Sequence, residues 1–225
     1  MVRIVKEPDI RRNELIACAS RLFYTKGYES TSVNDIVQEA GVAKGTFYHY
    51  FDSKVMLLEA LVEQYIAASL KLLEEAVADD SLDAVSKIKC IYRLVGNWKT
   101  ARKDELLPLI QAFYGDENIL LLHKLKLQSV TAVTPTLIRV IEQGVAEGLF
   151  QTDHVPDTAE IFYHTTQAFS ETFALILLNA DTYTEPAMVV KQKKVAYEQA
   201  IERILGAPTG SLPLFDEAII DAWFA

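Results

Sequence analysis

Residues 41–51 read Gly-Val-Ala-Lys-Gly-Thr-Phe-Tyr-His-Tyr-Phe. Four aromatic rings and a histidine fall between Phe47 and Phe51, in a chain whose aromatic content is only 10%. A short helix over residues 43–49 buries some of these rings but cannot place all of them on one face. Phe47 and Phe51, four apart, share a face with the Val42 side of the turn and belong to a core. Thr46, Tyr48, His49 and Tyr50 do not all fit on that face, so the remainder look outward. The helix opens with Ala43-Lys-Gly-Thr46, small residues around one cation. Such a start lets backbone and hydroxyl come close to phosphates and base edges.

The surrounding sequence supplies the scaffold for that helix. Residues 11–26 carry Leu15, Ile16, Ala19, Leu22 and Phe23 at helical spacing, and Gly27 is placed as a C-cap. Ser32-Val-Asn-Asp35 has the capping-box pattern, opening a short helix with Val33, Ile36, Val37 and Ala40 inward. Gly41 supplies the turn. Two short helices resting on a first are a helix-turn-helix arrangement, whose second helix enters the major groove. Asp52 or Ser53 caps a fourth helix reaching residue 78.

Beyond Asp79-Asp-Ser81, helical periodicity resumes over 82–100, 104–114, 117–146, 157–179 and 186–205. Pro135 is expected to kink or break the third of these, and Gly144 and Gly148 to loosen its end. The tail 212–225 is amphipathic and is expected to dock. Strand signals are nearly absent, so the fold class is all-α. Residues 1–53 form a three-helix helix-turn-helix DNA-binding domain, and 54–225 a helical ligand-binding and dimerisation domain of about nine helices.

The net charge of -9 argues by itself against nucleic acid, but its distribution matters more. Residues 1–60 hold eight Lys/Arg (3, 6, 11, 12, 21, 26, 44, 54) and eight Asp/Glu (7, 9, 14, 29, 35, 39, 52, 59), so that segment is neutral. The whole negative excess lies in 61–225. A neutral head with its cations facing one way binds DNA through short-range contacts more than through long-range steering. The first residues carry no secretory signal and no run suffices for a membrane span, which points to a cytoplasmic protein. Cys18 and Cys90 lack metal-type spacing. His49, His123, His154 and His164 form no ligand pattern, and no nucleophile, phosphate-loop or zinc-protease motif occurs. No cofactor, metal or catalytic activity is expected.

From Arg12 to Tyr65 the sequence closely resembles the N-terminal domain of the TetR family of bacterial transcriptional regulators. The resemblance rests on linked pieces: Ala19-Ser-Arg-Leu-Phe23, Lys26-Gly-Tyr28, Thr31-Ser-Val-Asn-Asp-Ile36, Ala40-Gly-Val42, Lys44 through Phe51, Ser53-Lys54 and Leu57-Leu58. The rest of the chain matches in length and helical layout only. The resemblance implies a homodimer on a near-palindromic, double-stranded operator, usually repressing, and released by a small-molecule effector. It places Lys44, Gly45, Thr46, Tyr48, His49 and Tyr50 on the recognition helix. Lys54 falls at the phosphate-binding start of the fourth helix, and Thr31 and Ser32 at the phosphate-facing start of the second. Ala43 departs from the family's usual Ser or Thr cap, and Val55 from the commoner acidic residue.

In the C-terminal body, Tyr92, Trp98, Phe113 and Tyr114 are candidate ligand-binding residues, together with His123, His164 and Phe169. His164 is singled out because Thr165, Thr166 and Gln167 beside it suggest a buried polar set. The dimer surface is expected on the last two long helices, from Phe162, Phe169, Phe173 and Leu177 on one. On the other it takes Val189, Lys193, Tyr197, Ala200 and Ile204. The alternatives are an activator or ligand-insensitive regulator of the same fold, and a helical scaffold that has lost DNA binding.

Overall fold

The computed structural model describes residues 8–114 and 118–225. The first residues of the chain, and Gly115 at the end of helical segment 104–114, lie outside them. Among the described residues the secondary structure is helical, with no strand. The order is α1 (Pro8–Lys26), α2 (Val33–Glu39), α3 (Lys44–Tyr50), α4 (Lys54–Val77), α5 (Ala84–Thr100), α6 (Lys103–Phe113) and α7 (Ile119–Ala146). Then follow α8 (Val155–Leu178), a short 3-10 turn at Ala180–Thr182, α9 (Pro186–Leu205) and α10 (Glu217–Phe224).

The ends of these helices follow from local chemistry. Gly27 and Gly206 close α1 and α9 with φ of 85° and 61°, a region where a Cβ is strained. Ser32 and Asp35 form the expected reciprocal capping box on α2. Ser53 Oγ accepts from Met56 N at 3.2 Å at the start of α4, and Asp83 caps α5. Pro135 does not break α7, which runs through it to Ala146. Among the described residues the C-terminal part contributes seven α-helices, α4 to α10, and the short 3-10 turn. Gly144 does not loosen its end either. A Cβ there would lie 2.0 Å from the Phe150 ring, so the glycine is what lets Phe150 pack into the core.

The chain divides into two compact units that cross the expected boundary at 53/54. One gathers the residues up to Ile66 with Asp104–Leu125, and the other gathers Ala67–Lys103 with Lys126–Ala225. The reason is visible in the first core. Leu57, Leu58 and Leu61 of α4 are buried with Phe23, Ile36 and Phe47, and Leu109, Ala112 and Phe113 of α6 join the same cluster.

In the second unit α8 and α9 pack side by side, and Phe162, Ile201 and Leu205 are fully buried with Ile88, Leu137 and Ile141. The turn at 79–83 is tied down. Gln143 donates to the Leu82 carbonyl at 3.0 Å, and the Ala84 N–H donates to Glu147 at 2.9 Å.

The tail docks as expected. Glu198 and Glu202, buried one turn apart on α9, accept hydrogen bonds from the backbone of residues 212–215. Leu212 and Leu214 are buried, and α10 is fastened by Lys191 to Asp221 at 2.7 Å and Lys194 to Glu217 at 3.2 Å. Lys103 Nζ donates to the Ala222 carbonyl at 3.1 Å, and Trp223 Nε1 to Thr100 Oγ1 at 3.0 Å.

Candidate nucleic-acid interface

α3 is held from beneath by two rings. Phe47 is fully buried, Phe51 is 4% exposed, and their centroids are 5.8 Å apart. With that face committed, the 100° helical step turns Lys44, Gly45, Tyr48 and His49 outward as one strip, and all four are exposed. Thr46 and Tyr50 flank the strip and are half-buried, Tyr50 against the core. The outward rings are braced edge-on by inner ones, Tyr48 on Phe47 at 5.4 Å and His49 on Tyr50 at 4.8 Å. Such pairs restrict the outward side chains before any partner arrives.

Gly45 is informative for what it does not do. Its φ is not positive, and a Cβ there would meet nothing within 4 Å. Neither conformation nor internal packing requires glycine, which costs a helix roughly 0.5–1 kcal/mol relative to alanine.

The flanking candidates divide. Ser32 is exposed, but its hydroxyl and N–H both contact Asp35, at 2.6 and 2.7 Å. Lys26 lies 2.8 Å from the same carboxylate, and these contacts hold Asp35 well below the usual carboxylate range. Thr31 does not fit its expected role at a phosphate. It is 1% exposed, its hydroxyl donates to the Gly27 carbonyl at 2.7 Å, and its N–H bonds Tyr28 O. Lys54 is half-buried, its Nζ 2.9 Å from the Tyr28 carbonyl and 4.0 Å from the Tyr28 ring centroid. It ties the start of α4 to the α1–α2 loop with one of its three donors. Sequence reading missed Tyr28 as the partner, because contacts between a loop carbonyl and a distant lysine have no periodic signature.

The residues expected to bind a ligand do not form one set. Phe113 and Tyr114 pack in the core of the first unit, and His123 is exposed. In the second unit, Trp98 is half-buried under the Arg102 guanidinium, 4.7 Å from the ring. His164 is not part of a buried polar set, because it faces solvent with Glu160 3.6 Å away. The buried member of that group is Thr166, whose hydroxyl donates to the Tyr163 carbonyl. Tyr92 and Phe169 do come together, both against Phe215 of the tail. Desolvation raises the Tyr92 phenol well above its ordinary value.

The residues expected at a dimer surface are mostly turned inward. Phe162 and Phe169 are buried, and Phe173 packs on Trp223 and Phe224. Tyr197 stacks on Phe169, while Val189, Leu177, Ala200 and Ile204 are half-buried. Lys193 alone of the set is fully outward. Apolar residues that do face out include Ile161, Ala168 and Leu175 on α8, and Met188, Val195 and Ala196 on α9. Ile161, Ala168 and Leu175 are spaced by seven, as are Met188 and Val195, beside the inward stripe.

Residues 15–61 match the model of a family described as bacterial regulatory proteins, tetR family. The transcriptional regulator AcuR of Cereibacter sphaeroides is 33% identical over 88 residues, which are 39% of this chain and 40% of AcuR. The transcriptional repressor KstR2 of Rhodococcus jostii is 28% identical over 150 residues, 64% of this chain and 69% of that one. Among solved structures, a TetR-family regulator from Pectobacterium atrosepticum shares the fold with a TM-score of 0.66 at 21% identity, covering 90% of this chain and 100% of the other. One from Syntrophomonas wolfei does so with a TM-score of 0.62 at 24% identity, covering 85% and 96%.

Proposed function

We propose, from a chain that carries the N-terminal domain of the TetR family of bacterial regulatory proteins and shares the fold of its solved members, that this protein is a homodimeric transcriptional repressor. It binds a near-palindromic operator and is released by a small-molecule effector received in the second unit. The observation that carries the reading is the outward strip of α3, with a bare backbone at Gly45 between Lys44 and Tyr48. A strip of one cation, two hydrogen-bonding rings and an exposed glycine suits phosphate contact and groove-floor contact together.

In this reading Lys44, Tyr48 and Lys54 position the head on phosphates, and Thr46 and His49 face base edges. Ser32 contributes by orienting α2, and Thr31 by closing the α1–α2 loop from inside. Two copies joined along the outward heptad of α8 and α9 bring two such heads to successive major grooves. Repression follows from occupancy of the operator, and coupling to an effector is reciprocal: whatever weakens DNA binding on effector binding is itself weakened by DNA to the same factor.

The test is selection of duplexes from a random pool by the purified protein, followed by titration of the enriched sequence. A two-fold symmetric site is expected, with Thr46→Ala narrowing the gap between that site and random duplex. Failure to enrich any sequence would sink the reading and leave a helical binding protein without operator recognition.

A further inference from the structure

The aromatic cluster of the second unit contains a ring that belongs to none of its long helices. Phe215 lies 4.0 Å from Phe169 and 5.6 Å from Tyr92, centroid to centroid, and Phe169 in turn touches Tyr197 at 5.4 Å. Tyr92 also meets Phe162 edge-on at 6.1 Å. Phe162 and Phe169 are buried, whereas Phe215 is only half-buried, at the mouth of the box that the others make.

The backbone of the same residue meets a charge. The N–H groups of Leu214 and Phe215 both donate to Glu198 Oε1, at 2.8 and 2.9 Å, and the Leu212 N–H donates to Glu202 at 3.0 Å. Glu198 is 8% exposed, with Lys194 and Glu202 the charged groups acting on it, and burial raises its carboxyl above the ordinary value. A buried carboxylate that loses both donors has to be met by something else.

The two contacts of Phe215 are joined by its own covalent skeleton. Nitrogen, Cα, Cβ and ring are those of a 2-arylethylamine, with the nitrogen on Glu198 and the ring in the box. We infer that this box is a site for arylethylamines, in which an aromatic ring replaces that of Phe215 and an ammonium replaces the backbone donors on Glu198, displacing residues 211–225. This assignment rests on the reading of the second unit as the effector-receiving part. The segment follows Gly206 and Gly210, both with positive φ. Beyond the box it is held by buried Leu212, Leu214, Ile220 and Trp223 and by ion pairs of the largely covered Lys191 and Lys194 with exposed carboxylates, so release has to uncover those apolar side chains as well.

The experiment is calorimetric titration of the full chain with 2-phenylethylamine, 2-phenylethanol and 3-phenylpropionate, with amide exchange followed at Leu212, Leu214 and Phe215. The amine is expected to bind about ten-fold or more tightly than the alcohol, as charge-assisted hydrogen bonds exceed neutral ones, and the anion weakest. Amide exchange of the three residues should accelerate as the amine binds.

Glu198→Gln keeps an acceptor for the tail and should erase the preference for amine over alcohol. Lys191→Ala, outside the box, should raise amine affinity about two- to five-fold by loosening the segment. Equal affinity for amine and anion, no measurable binding, an unchanged preference in Glu198→Gln, or undisturbed tail amides would each overturn the assignment. Operator titration of the ligand-free protein stands apart from these readouts. Its failure would remove the regulator while leaving the site to be judged by the amines.

Discussion

At the scale of single residues, glycine positions separate demands made inside the protein from those made outside it. Gly45 has open space where a Cβ would be, so Gly45→Ala is expected to preserve or raise thermal stability, by up to about 1 kcal/mol. The same change should weaken operator binding by roughly ten-fold, about 1.4 kcal/mol, because the methyl group meets the duplex. Melting curves and titration of one preparation check both, and unchanged affinity would place the strip away from DNA. Gly144 is the converse case. Gly144→Ala puts a methyl group into the Phe150 ring and should cost about 1–3 kcal/mol in denaturant unfolding. Asp35 adds a pH signature. Its folded carboxyl is depressed below the unfolded one, first by Lys26 and then by Ser32. The stabilisation is therefore complete above about pH 4 and is lost as pH falls further. The melting-temperature gap between wild type and Asp35→Asn should close on acidification, and a gap that persists in acid would refute the pairing.

At the scale of elements, the helices were legible in the sequence almost residue by residue. Apolar spacing and caps such as Ser32, Gly27 and Gly206 are local signals, and the structure uses them locally. Pro135 misled because a missing N–H weakens a helix without ending it when the packing of Val133, Leu137 and Val140 holds both sides. The two faces of α3 were legible for a similar reason, since Phe47 and Phe51 fix its rotation. Facing on α8 was harder. Apolar residues occupy both its sides, and periodicity does not say which stripe meets α9 and which meets solvent. Phe162 and Phe169 took the inner stripe because large rings fill a core, and Ile161, Ala168 and Leu175 were left outside.

At the scale of the whole molecule, that outer stripe carries the assembly prediction. Leu175→Glu should leave the fold intact and yield monomers in sedimentation, with operator affinity lost because one head reads one half-site. An undisturbed dimer would move the interface to another face. The tail was foreseen to dock, but its anchors were not, because acidic residues in helices are ordinarily solvated, whereas Glu198 and Glu202 are buried. Trp223 of that tail is 6% exposed, lies edge-on to Phe173 and hydrogen-bonds Thr100, and Trp98 is the other of the chain's two tryptophans. With Trp98 replaced by phenylalanine, the tryptophan emission of the protein, excited selectively over its ten tyrosines, would come from Trp223 alone. Its wavelength would then read, in real time and without a label, whether the C-terminus is seated or in water.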